Sequence, residues 1–396
     1  MIAARSAARP QPLSLYIHWP FCVTKCPYCD FNSHVREAVD QSRWRAALLA
    51  DLRHEARLTA GQRLVSIFFG GGTPSLMEPG TAEALIAEAL ALWPNDGAVE
   101  ITLEANPSSV EAARFADFAA AGVNRVSLGL QALDEDALKL LGRPHDLGQG
   151  LAALAVAQRH FARVSFDLIH SRPGQTVKAW EAELARALSF GTEHLSAYQL
   201  TIEEGTRFHT LARKGLLALP DEEAAADMFE LTGEMCAAAG LPLYEVSNHA
   251  RPGAESRHNL QYWRYGDYAG VGPGAHGRRG GLATTRLKRP ESWLEAVEAK
   301  GQGLEAEVPI RPEDAAEEAL MMGLRLAAGL DPAAFAARTG ISLDAVASPA
   351  ARARLEAMGL LAPGERLRVT AAGRMLTNRL ILELAAGLKQ PAIMPR

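Results

Sequence analysis

Residues 16–31 read YIHWPFCVTKCPYCDF and contain three of the four cysteines of the chain, Cys22, Cys26 and Cys29. The motif closes a run of β-branched and aromatic residues that predicts a strand over residues 13–19. Thiolates are the ligands that iron–sulfur clusters require, and three so close along the chain can hold three corners of one 4Fe-4S cubane. The C-x3-C-x2-C spacing therefore predicts a cluster whose fourth iron has no protein ligand.

This open iron indicates the chemistry. The amine and carboxylate of S-adenosylmethionine (SAM) can chelate such an iron, and the reduced cluster can then cleave a carbon–sulfur bond of SAM to give a 5′-deoxyadenosyl radical. A zinc ion held by the three thiolates and His34 is the alternative, although the spacing is unusual for a zinc module. Buried thiols without any metal are a further alternative. Cys236, alone in a predicted helix, fits a small core residue better than a fourth ligand.

Composition sets the broad class of protein. The chain has 396 residues, 48% of them hydrophobic and 22% charged, and this length exceeds what one core usually organises, so we expect two domains. A formal net charge of -5 gives no overall reason to bind nucleic acid or an anionic membrane. Because the sequence shows neither an apolar signal core nor an apolar run long enough to cross a bilayer, we expect a cytoplasmic protein without a transmembrane segment.

Six short segments rich in β-branched and aromatic residues alternate with amphipathic stretches. The predicted strands are residues 13–19, 65–71, 99–105, 125–131, 163–169 and 194–200. The predicted helices between them are residues 44–57, 81–93, 110–120, 147–160 and 180–190. Connections of this length favour parallel βα units. The sequence therefore predicts an α/β fold built on a partial (β/α)6 barrel, with its functional face at the carboxyl ends of the strands.

The rest of the chain changes character twice. A helix over residues 221–239 ends at Gly240 and leads into a strand-like run at 243–247. A Gly- and aromatic-rich stretch follows, and the last ninety residues predict helices, a short hairpin and a final helix. The predicted parts are a flexible arm at 1–12, the barrel core at 13–245, the Gly- and aromatic-rich segment at 246–305 and a mainly helical, winged-helix-like domain at 306–396.

The second predicted strand ends in FFGGGTPS, residues 68–75. Gly70, Gly71 and Gly72 let backbone groups approach a ligand closely and Thr73 adds a hydroxyl, so this turn suits the amino-acid end of SAM. A tight barrel turn would need the same glycines, and that interpretation stays open. Further polar side chains that extend the predicted pocket, each also able to act as a helix cap or ion-pair partner, are Glu104, Gln131, Arg143 and Asp167.

Six motifs in a fixed order support a family assignment. The segments YIHWPFCVTKCPYCDF, FFGGGTPS, LEANP, RVSLGLQ, FDLI and AYQLTIEEGT together resemble the oxygen-independent coproporphyrinogen oxidase family of radical SAM proteins. The resemblance extends from about residue 13 to the carboxyl terminus. It implies a SAM site made by Tyr16, Tyr28, Gly71, Gly72, Thr73, Glu104, Gln131, Arg143 and Asp167, with His276 as a further member.

Two features separate the branches of that family. The oxidases carry an additional cysteine two residues after the third cluster ligand and a longer arm before the motif. This chain has Phe31 at that position, and 21 residues precede Cys22. The sequence therefore resembles the branch whose members carry haem as chaperones, and oxidase activity is disfavoured. DLIHSRPGQT departs from the family at His170, Ser171 and Arg172, as does His249, which leaves the shape of the neighbouring pocket open.

The segment RHNLQYW, residues 257–263, resembles the H-N-x-x-Y-W motif associated with haem in the chaperone branch. Imidazole is a natural axial ligand for haem iron, and aromatic rings offer flat apolar faces to a porphyrin. The resemblance therefore implies haem binding by His258, Tyr262 and Trp263. Without the resemblance, a histidine beside two aromatic residues would be interpreted as a packed loop residue.

Three hypotheses for function follow. The first is a haem chaperone that carries a 4Fe-4S cluster and SAM, receives electrons from a flavodoxin or ferredoxin, and passes haem to an unidentified acceptor protein. The second is oxidative decarboxylation of coproporphyrinogen III to protoporphyrinogen IX. The third, a DNA-binding regulator that uses the winged-helix-like tail, is weaker because basic and acidic residues are interleaved there, and no nucleic-acid partner is expected.

Overall fold

The computed structural model describes residues 10–386, so residues 1–9 of the predicted arm and residues 387–396 lie outside it. The strands are β1 (Pro12–Trp19), β2 (Phe21–Cys22), β3 (His34–Val35), β4 (Arg63–Gly71), β5 (Glu100–Ala105), β6 (Arg125–Gln131), β7 (Arg163–His170), β8 (His194–Gln199), β9 (Leu243–Glu245), β10 (Asn248–Ala250), β11 (Asp267–Val271), β12 (His276–Arg279), β13 (Leu282–Arg286), β14 (Leu304–Pro309), β15 (Leu361–Ala362) and β16 (Arg368–Val369).

The helices are α1 (Gln41–Leu58), α2 (Pro79–Leu92), α3 (Ser109–Ala112), α4 (Phe115–Ala120), α5 (Glu135–Leu140), α6 (Leu147–His160), α7 (Val177–Leu188), α8 (Arg207–Arg213), α9 (Glu222–Ala238), α10 (Arg257–Trp263), α11 (Pro290–Lys300), α12 (Pro312–Gly323), α13 (Pro332–Thr339), α14 (Leu343–Val346), α15 (Pro349–Ala357) and α16 (Thr377–Ala385). Short 3-10 helices lie at Pro74–Leu76 and Arg374–Leu376. Among the helices described, none is both long and apolar enough to cross a membrane.

Six parallel strands form the middle of one twelve-stranded sheet. Its order is β14-β13-β12-β11-β1-β4-β5-β6-β7-β8-β10-β9, and β1, β4, β5, β6, β7 and β8 pair in parallel with their neighbours. The two ends of this sheet do not pair with each other, so the barrel is open. The predicted α/β fold with a partial (β/α)6 barrel is confirmed, and the six predicted strands and most of the predicted helices match to within a few residues.

Alternation along β1 explains how the barrel is built. Leu13, Leu15 and Ile17 are fully buried in the main apolar cluster, which packs the sheet against its helices. The residues between them face the other side of the sheet, where the Ser14 hydroxyl lies 2.7 Å from that of Ser66. Because successive strand residues point to opposite faces, one face of the sheet is apolar and the barrel interior is polar.

The helix predicted over residues 110–120 is wrong as a single element. The structure has two short helices there, α3 and α4, separated by Arg114. The guanidinium of Arg114 donates hydrogen bonds to the backbone carbonyls of Ser75 and Met77, which holds this residue in the turn between the helices. Tertiary hydrogen bonding therefore overrides a continuous helical pattern.

Five strands that the sequence pattern did not predict, β10–β14, lie in the Gly- and aromatic-rich stretch and just beyond it. Strands β11–β14 extend the sheet from β1, and β11 is parallel to β1. A Cβ atom at Gly270 would lie 2.0 Å from the carbonyl oxygen of His276, and one at Gly277 would lie 2.5 Å from the Thr284 hydroxyl. Glycine thus stands in these strands because other chain segments approach closely. The sheet runs through residue 245, and the domain boundaries stay a prediction.

The carboxyl-terminal region has its own apolar core. Helices α12–α16 surround a cluster that includes Leu320, Phe335 and Leu380, and Tyr265 joins it from the barrel side. Strands β15 and β16 pair as a short hairpin between α15 and α16. This order of helix, hairpin and helix confirms the predicted mainly helical, winged-helix-like domain.

A buried ionic network joins α1 to strands β12 and β13. The fully buried guanidinium of Arg286 contacts Asp51 at 2.8 Å and Glu55 at 2.7 Å, and Arg279 reaches Glu55 at 2.8 Å. The carboxylate of Asp51 also accepts backbone N–H bonds from Gly272 and Gly303. Because these charges are paired and hydrogen-bonded, they can remain buried, and removing one would leave the others uncompensated.

We expect Arg286→Met to lower the free energy of unfolding by about 3–5 kcal/mol, since Asp51 and Glu55 would lose their shared cation. Urea unfolding followed by circular dichroism measures this change. Arg289→Met is the matched control because the side chain of Arg289 is 77% exposed, and it should change stability by less than about 0.5 kcal/mol. Equal losses in both variants would contradict the role given to the network.

Candidate functional site

A cavity of about 380 Å³ opens at the carboxyl ends of the parallel strands. The three motif cysteines form one side of it, and the turn after β4 together with the ends of β5, β6 and β7 forms the rest. Its lining includes Cys22, Cys26, Cys29, Tyr28, Phe31, Gly71, Gly72, Thr73, Glu104, Asn106, Gln131, Arg143 and Asp167. This is the face of the barrel where sequence analysis placed the function.

Two hydrogen bonds hold the cysteine loop at the edge of the cavity. The Thr73 hydroxyl donates to the sulfur of Cys22, and the guanidinium of Arg143 donates to the sulfur of Cys26, each over 3.4 Å. Burial raises the pKa of Cys22 and of Cys29 above the ordinary thiol value. These thiols therefore keep their protons until a metal is bound, and a metal would displace the protons because coordinated sulfur is deprotonated.

The structure does not place His34, the fourth ligand of the zinc alternative, at the cysteine cavity. The Nε2 atom of His34 lies 3.1 Å from the Oδ1 atom of Asn32, and His34 does not line the cavity. Within residues 10–386, no three His, Cys, Asp or Glu side chains are gathered closely enough to hold a single metal ion. Three thiols around a wider cavity suit a cubane, whose corners are farther apart than the ligands of one ion.

The structure bears out the tight-turn interpretation of the glycine-rich segment, and its contact with SAM stays a prediction. Gly71 has φ +112°, and a Cβ atom there would lie 2.5 Å from the His18 ring. A Cβ atom at Gly72 would lie 2.7 Å from the carbonyl oxygen of Phe21, and the Gly72 N–H donates to the carbonyl of Trp19 over 2.7 Å. The tight turn is therefore real, and it brings Thr73 into contact with the cysteine loop.

Asn106 is a central residue of the site that sequence analysis did not single out. Its amide donates to the Thr73 hydroxyl over 3.1 Å, and its carbonyl oxygen accepts from the guanidinium of Arg143. The two donors that contact the thiols are thus joined through one side chain. The available signal was its position in LEANP, directly after a strand that ends at the functional face.

Two partly buried carboxyl groups line the cavity, Glu104 from β5 and Asp167 from β7. Burial, and next the negative charge of Asp167, raise the pKa of Glu104 to about 8. Burial raises the pKa of Asp167 to about 6, although Ser196 and Ser127 donate hydrogen bonds to it. The carboxylate of Glu104 accepts only a long bond, 3.3 Å, from the Gly71 N–H. Both groups have acceptor capacity for the hydroxyls or the ammonium of a ligand.

Gln131 has an unusual backbone conformation. Its φ is +68°, in the left-handed region that non-glycine residues seldom adopt, and its amide nitrogen lies 2.8 Å from the position of a Cβ atom on Gly129. Such strain persists where surrounding structure fixes it, commonly at binding sites. The backbone of Gln131 therefore supports a functional interpretation of a residue that the sequence marks only as polar.

The structure brings together eight of the ten residues predicted to bind SAM. Those that line the cavity are Tyr28, Gly71, Gly72, Thr73, Glu104, Gln131, Arg143 and Asp167. Tyr16 lies behind it, with its hydroxyl 3.0 Å from the Nδ1 atom of His18. The Nε2 atom of His18 in turn lies 3.0 Å from the carbonyl of Asn32, so this pair supports the cysteine loop from behind. His276 is exposed at the start of β12 and does not line the cavity.

The proposed haem residues do not share one environment. His258 is buried in the barrel interior, where its Nδ1 atom lies 3.1 Å from the Ser66 hydroxyl and its ring stacks on Phe68 at 4.7 Å. Burial lowers the pKa of His258 to about 3. Tyr262 lies beside it, with a ring distance of 5.0 Å, whereas Trp263 lines a separate cavity.

Comparison with known proteins agrees with this architecture. Residues 16–187 match the Radical SAM superfamily, and residues 310–376 match the HemN C-terminal domain. The solved structure of coproporphyrinogen III oxidase (HemN) from Escherichia coli, a radical SAM enzyme, superposes with a TM-score of 0.78 at 23% identity over 96% of this chain and 91% of that one. At that identity the likeness concerns the fold. The chain is a radical SAM protein.

Its relatives place it more narrowly. The chain is 40% identical to the heme chaperone HemW of Escherichia coli K12 over 85% of its own length and 88% of that protein. It is 35% identical to HemW of Bacillus subtilis over 92% and 97% of the two chains. It is also 45% identical to the mitochondrial radical S-adenosyl methionine domain-containing protein 1 of Bos taurus, over 81% and 74%. The chain therefore belongs to the HemW-like radical SAM proteins.

Membership of this superfamily implies a 4Fe-4S cluster and SAM, and the donor set fits both. Cys22, Cys26 and Cys29 would hold the cluster, while the turn at Gly71 and the carboxyl of Glu104 would contact SAM. When bound, the 4Fe-4S cluster supplies an electron in its reduced state, which can generate a 5′-deoxyadenosyl radical from SAM. The hydrogen bonds that Thr73 and Arg143 donate to the sulfurs of Cys22 and Cys26 would act on cluster thiolates, and such bonds tune the potential of a cluster.

We expect anaerobic reconstitution to load about four irons and four sulfides per chain, and Cys22→Ala, Cys26→Ala or Cys29→Ala to abolish stable loading, since two thiolates cannot hold a cubane firmly. Iron and sulfide assays with the absorbance spectrum measure this. Cys236→Ala is the matched control because its thiol lies in the main core. The cluster assignment would be overturned if wild-type protein bound one zinc ion and no sulfide.

We expect Glu104 to make stability depend on pH. The folded state keeps the Glu104 proton up to about pH 8, whereas the unfolded chain releases it near pH 4.5, so the folded state loses stability as pH rises across this window. Between pH 6.5 and 8.5, without SAM, wild type should lose about 1–2 kcal/mol more than Glu104→Gln does. Urea unfolding at both pH values measures the difference.

The control for that experiment is Glu83→Gln, which changes an exposed glutamate on α2. It should retain the full pH dependence of wild type. If Glu104→Gln and Glu83→Gln showed the same dependence, the buried carboxyl of Glu104 would not be its source.

Proposed function

We propose that this protein binds haem and transfers it to an acceptor protein, with a cluster on Cys22, Cys26 and Cys29 and SAM in the adjoining cavity. The observation that carries the proposal is the similarity to proteins named heme chaperone HemW, which reaches 40% identity and covers 88% of the Escherichia coli protein. Matches to the Radical SAM superfamily over residues 16–187 and to the HemN C-terminal domain over residues 310–376 add support from the barrel and from the carboxyl-terminal domain. The flavodoxin- or ferredoxin-type electron donor and the acceptor protein belong to the same proposal.

Phe31 supports the chaperone over the oxidase. Its side chain is 59% exposed at the cysteine side of the cavity, where the resemblance places an additional cysteine in the oxidases. A phenyl ring neither binds metal nor transfers protons, so the site lacks one chemical group that the oxidase pattern supplies. An exposed aromatic side chain also suits contact with a flat apolar molecule or with a protein surface.

Two locations for haem follow from the RHNLQYW segment, one on each face of α10. On the barrel face, His258 would serve as axial ligand, with Tyr262 beside the porphyrin. Coordination there would use the Nε2 atom, because Nδ1 lies 3.1 Å from the Ser66 hydroxyl, and a porphyrin would have to reach a buried ring that stacks on Phe68. On the opposite face, Trp263 lines a cavity that is already present.

We expect wild-type protein to bind one haem per chain, with saturation in an absorbance titration, and to leave coproporphyrinogen III unchanged in an anaerobic assay with SAM and reductant. The matched control for the titration is heat-denatured protein, which should show no saturable binding. Steady formation of protoporphyrinogen IX would favour the oxidase, and absence of saturable haem binding would overturn the chaperone proposal.

A further inference from the structure

A cavity of about 540 Å³ lies between α10 and the carboxyl-terminal domain, on the side of the molecule away from the cysteine loop. Its volume is within the roughly 300–1,000 Å³ usual for cofactor pockets. Much of its wall is aromatic or aliphatic, formed by side chains that include Tyr244, Leu260, Trp263, Tyr265, Leu330 and Phe335. Exposed residues at its edge, such as Ala334, show that the cavity is open to solvent.

Helical periodicity directs the two halves of the RHNLQYW segment to opposite sides. His258 and Tyr262 are four residues apart, so they share the face of α10 that packs in the barrel. Leu260, Trp263 and Arg264 follow the i, i+3, i+4 spacing and line the cavity on the other face.

Cationic side chains gather at the same cavity. The guanidinium of Arg366 already has partners, because it pairs with Asp331 at 3.2 Å and donates hydrogen bonds to two backbone carbonyls. Arg338 donates to the backbone carbonyl of Tyr265 over 3.1 Å, and neither it nor Arg264 forms an ion pair within residues 10–386. The carboxylate of Glu255 is the one other lining acid.

Burial lowers the pKa of Arg338, and the nearby charges of Arg278 and Arg264 act in the same direction, while Asp267 opposes them. Two guanidinium groups that repel each other beside an apolar wall are stabilised by an added anion. The cavity therefore combines flat apolar surfaces with unpaired donors for carboxylates.

We propose that this cavity holds the porphyrin of haem, with the ring against Trp263 and Phe335 and the two propionates on Arg264 and Arg338. This inference rests on the proposed function and specifies where the cargo lies. A porphyrin with two carboxylates at one edge matches a pocket that is apolar on its walls and cationic on one side.

The iron has no nitrogen or sulfur ligand in this location. None of the residues that line the cavity is Cys, His or Met. The two phenols are engaged, since the Tyr244 hydroxyl lies 3.0 Å from the Nε2 atom of His194 and the Tyr265 hydroxyl donates to Glu318 over 2.7 Å. Binding then depends on the faces and carboxylates of the porphyrin, which suits a carrier that must release its cargo without breaking a strong metal bond.

The test compares porphyrins and variants by titration of the full chain. Wild type should bind haem and metal-free protoporphyrin IX with dissociation constants within about threefold, and the dimethyl ester of haem about tenfold more weakly or worse. The double variant Arg264→Glu/Arg338→Glu should weaken haem binding by a similar factor and lose the distinction between haem and its ester. Arg379→Glu, a charge reversal at an exposed position outside the cavity, is the matched control.

A steric pair tests the location independently of charge. Ala334→Trp places a large ring in the cavity and should weaken haem binding by at least about tenfold, whereas Ala333→Trp changes an exposed neighbour outside the lining and should stay within about twofold of wild type. Melting temperatures near that of wild type confirm folding. His258→Ala should retain haem affinity within about twofold, because it alters the barrel face.

The outcomes separate this inference from the function on which it rests. Weaker binding in both cavity variants and to the ester supports the cavity. Saturable haem binding by wild type that is lost in His258→Ala, but unchanged in the cavity variants and for the ester, overturns the cavity and leaves the chaperone proposal standing. Absence of haem binding by wild type overturns both.

Discussion

The site depends on the contact between two backbones, that of the turn after β4 and that of the segment joining β1 to β2. The N–H groups of Gly72 and Thr73 donate to the carbonyls of Trp19 and Phe21 over 2.7 and 2.8 Å. Any side chain at position 72 would collide with the Phe21 carbonyl. This approach fixes the start of the cysteine loop beside the strand ends, and the pocket wall, the thiol hydrogen bonds and the position of Asn106 all follow from it.

The polar barrel interior is the second constraint, and it has an energetic consequence. Parallel strands covered by helices are usually apolar on both faces, yet here alternate residues such as Ser66, Glu104 and Asp167 face inward. Buried carboxyls with raised pKa values destabilise the protein unless a ligand satisfies them. The polar interior therefore lowers the stability of the ligand-free protein, and the apolar outer face of the sheet offsets that cost.

Local patterns explain which parts of the fold could be predicted. The cysteine spacing, the six parallel strands and helix α6 were accessible because each is encoded by neighbouring residues. The antiparallel strands were not, since Gly270 and Gly277 stand there to admit distant backbone, and glycine lowers any strand signal. Ser171 is a local case of the same limit: it adopts φ +57°, a left-handed conformation that serine seldom takes, so its conformation is imposed from outside the segment.

Within the site, the residues that line the cavity were easier to predict than the hydrogen bonds between their side chains. Eight of the proposed SAM residues line one cavity, but the hydrogen bonds that join Thr73, Asn106 and Arg143 cross three strand ends, and sequence spacing carries no record of them. The two-sided character of α10 was available in principle from helical periodicity. It was obscured because the resemblance treats His258, Tyr262 and Trp263 as one motif.

Helix α10 separates two compartments, and this imposes a thermodynamic rule on whatever occupies them. Its His258 face belongs to the barrel that opens toward the cysteines, and its Trp263 face belongs to the wall of the second cavity. A molecule that shifts α10 from one side changes the affinity on the other, and the reverse effect must be equal in size. Occupancy of one compartment would then be linked to occupancy of the other to the extent that either occupant moves this seven-residue helix.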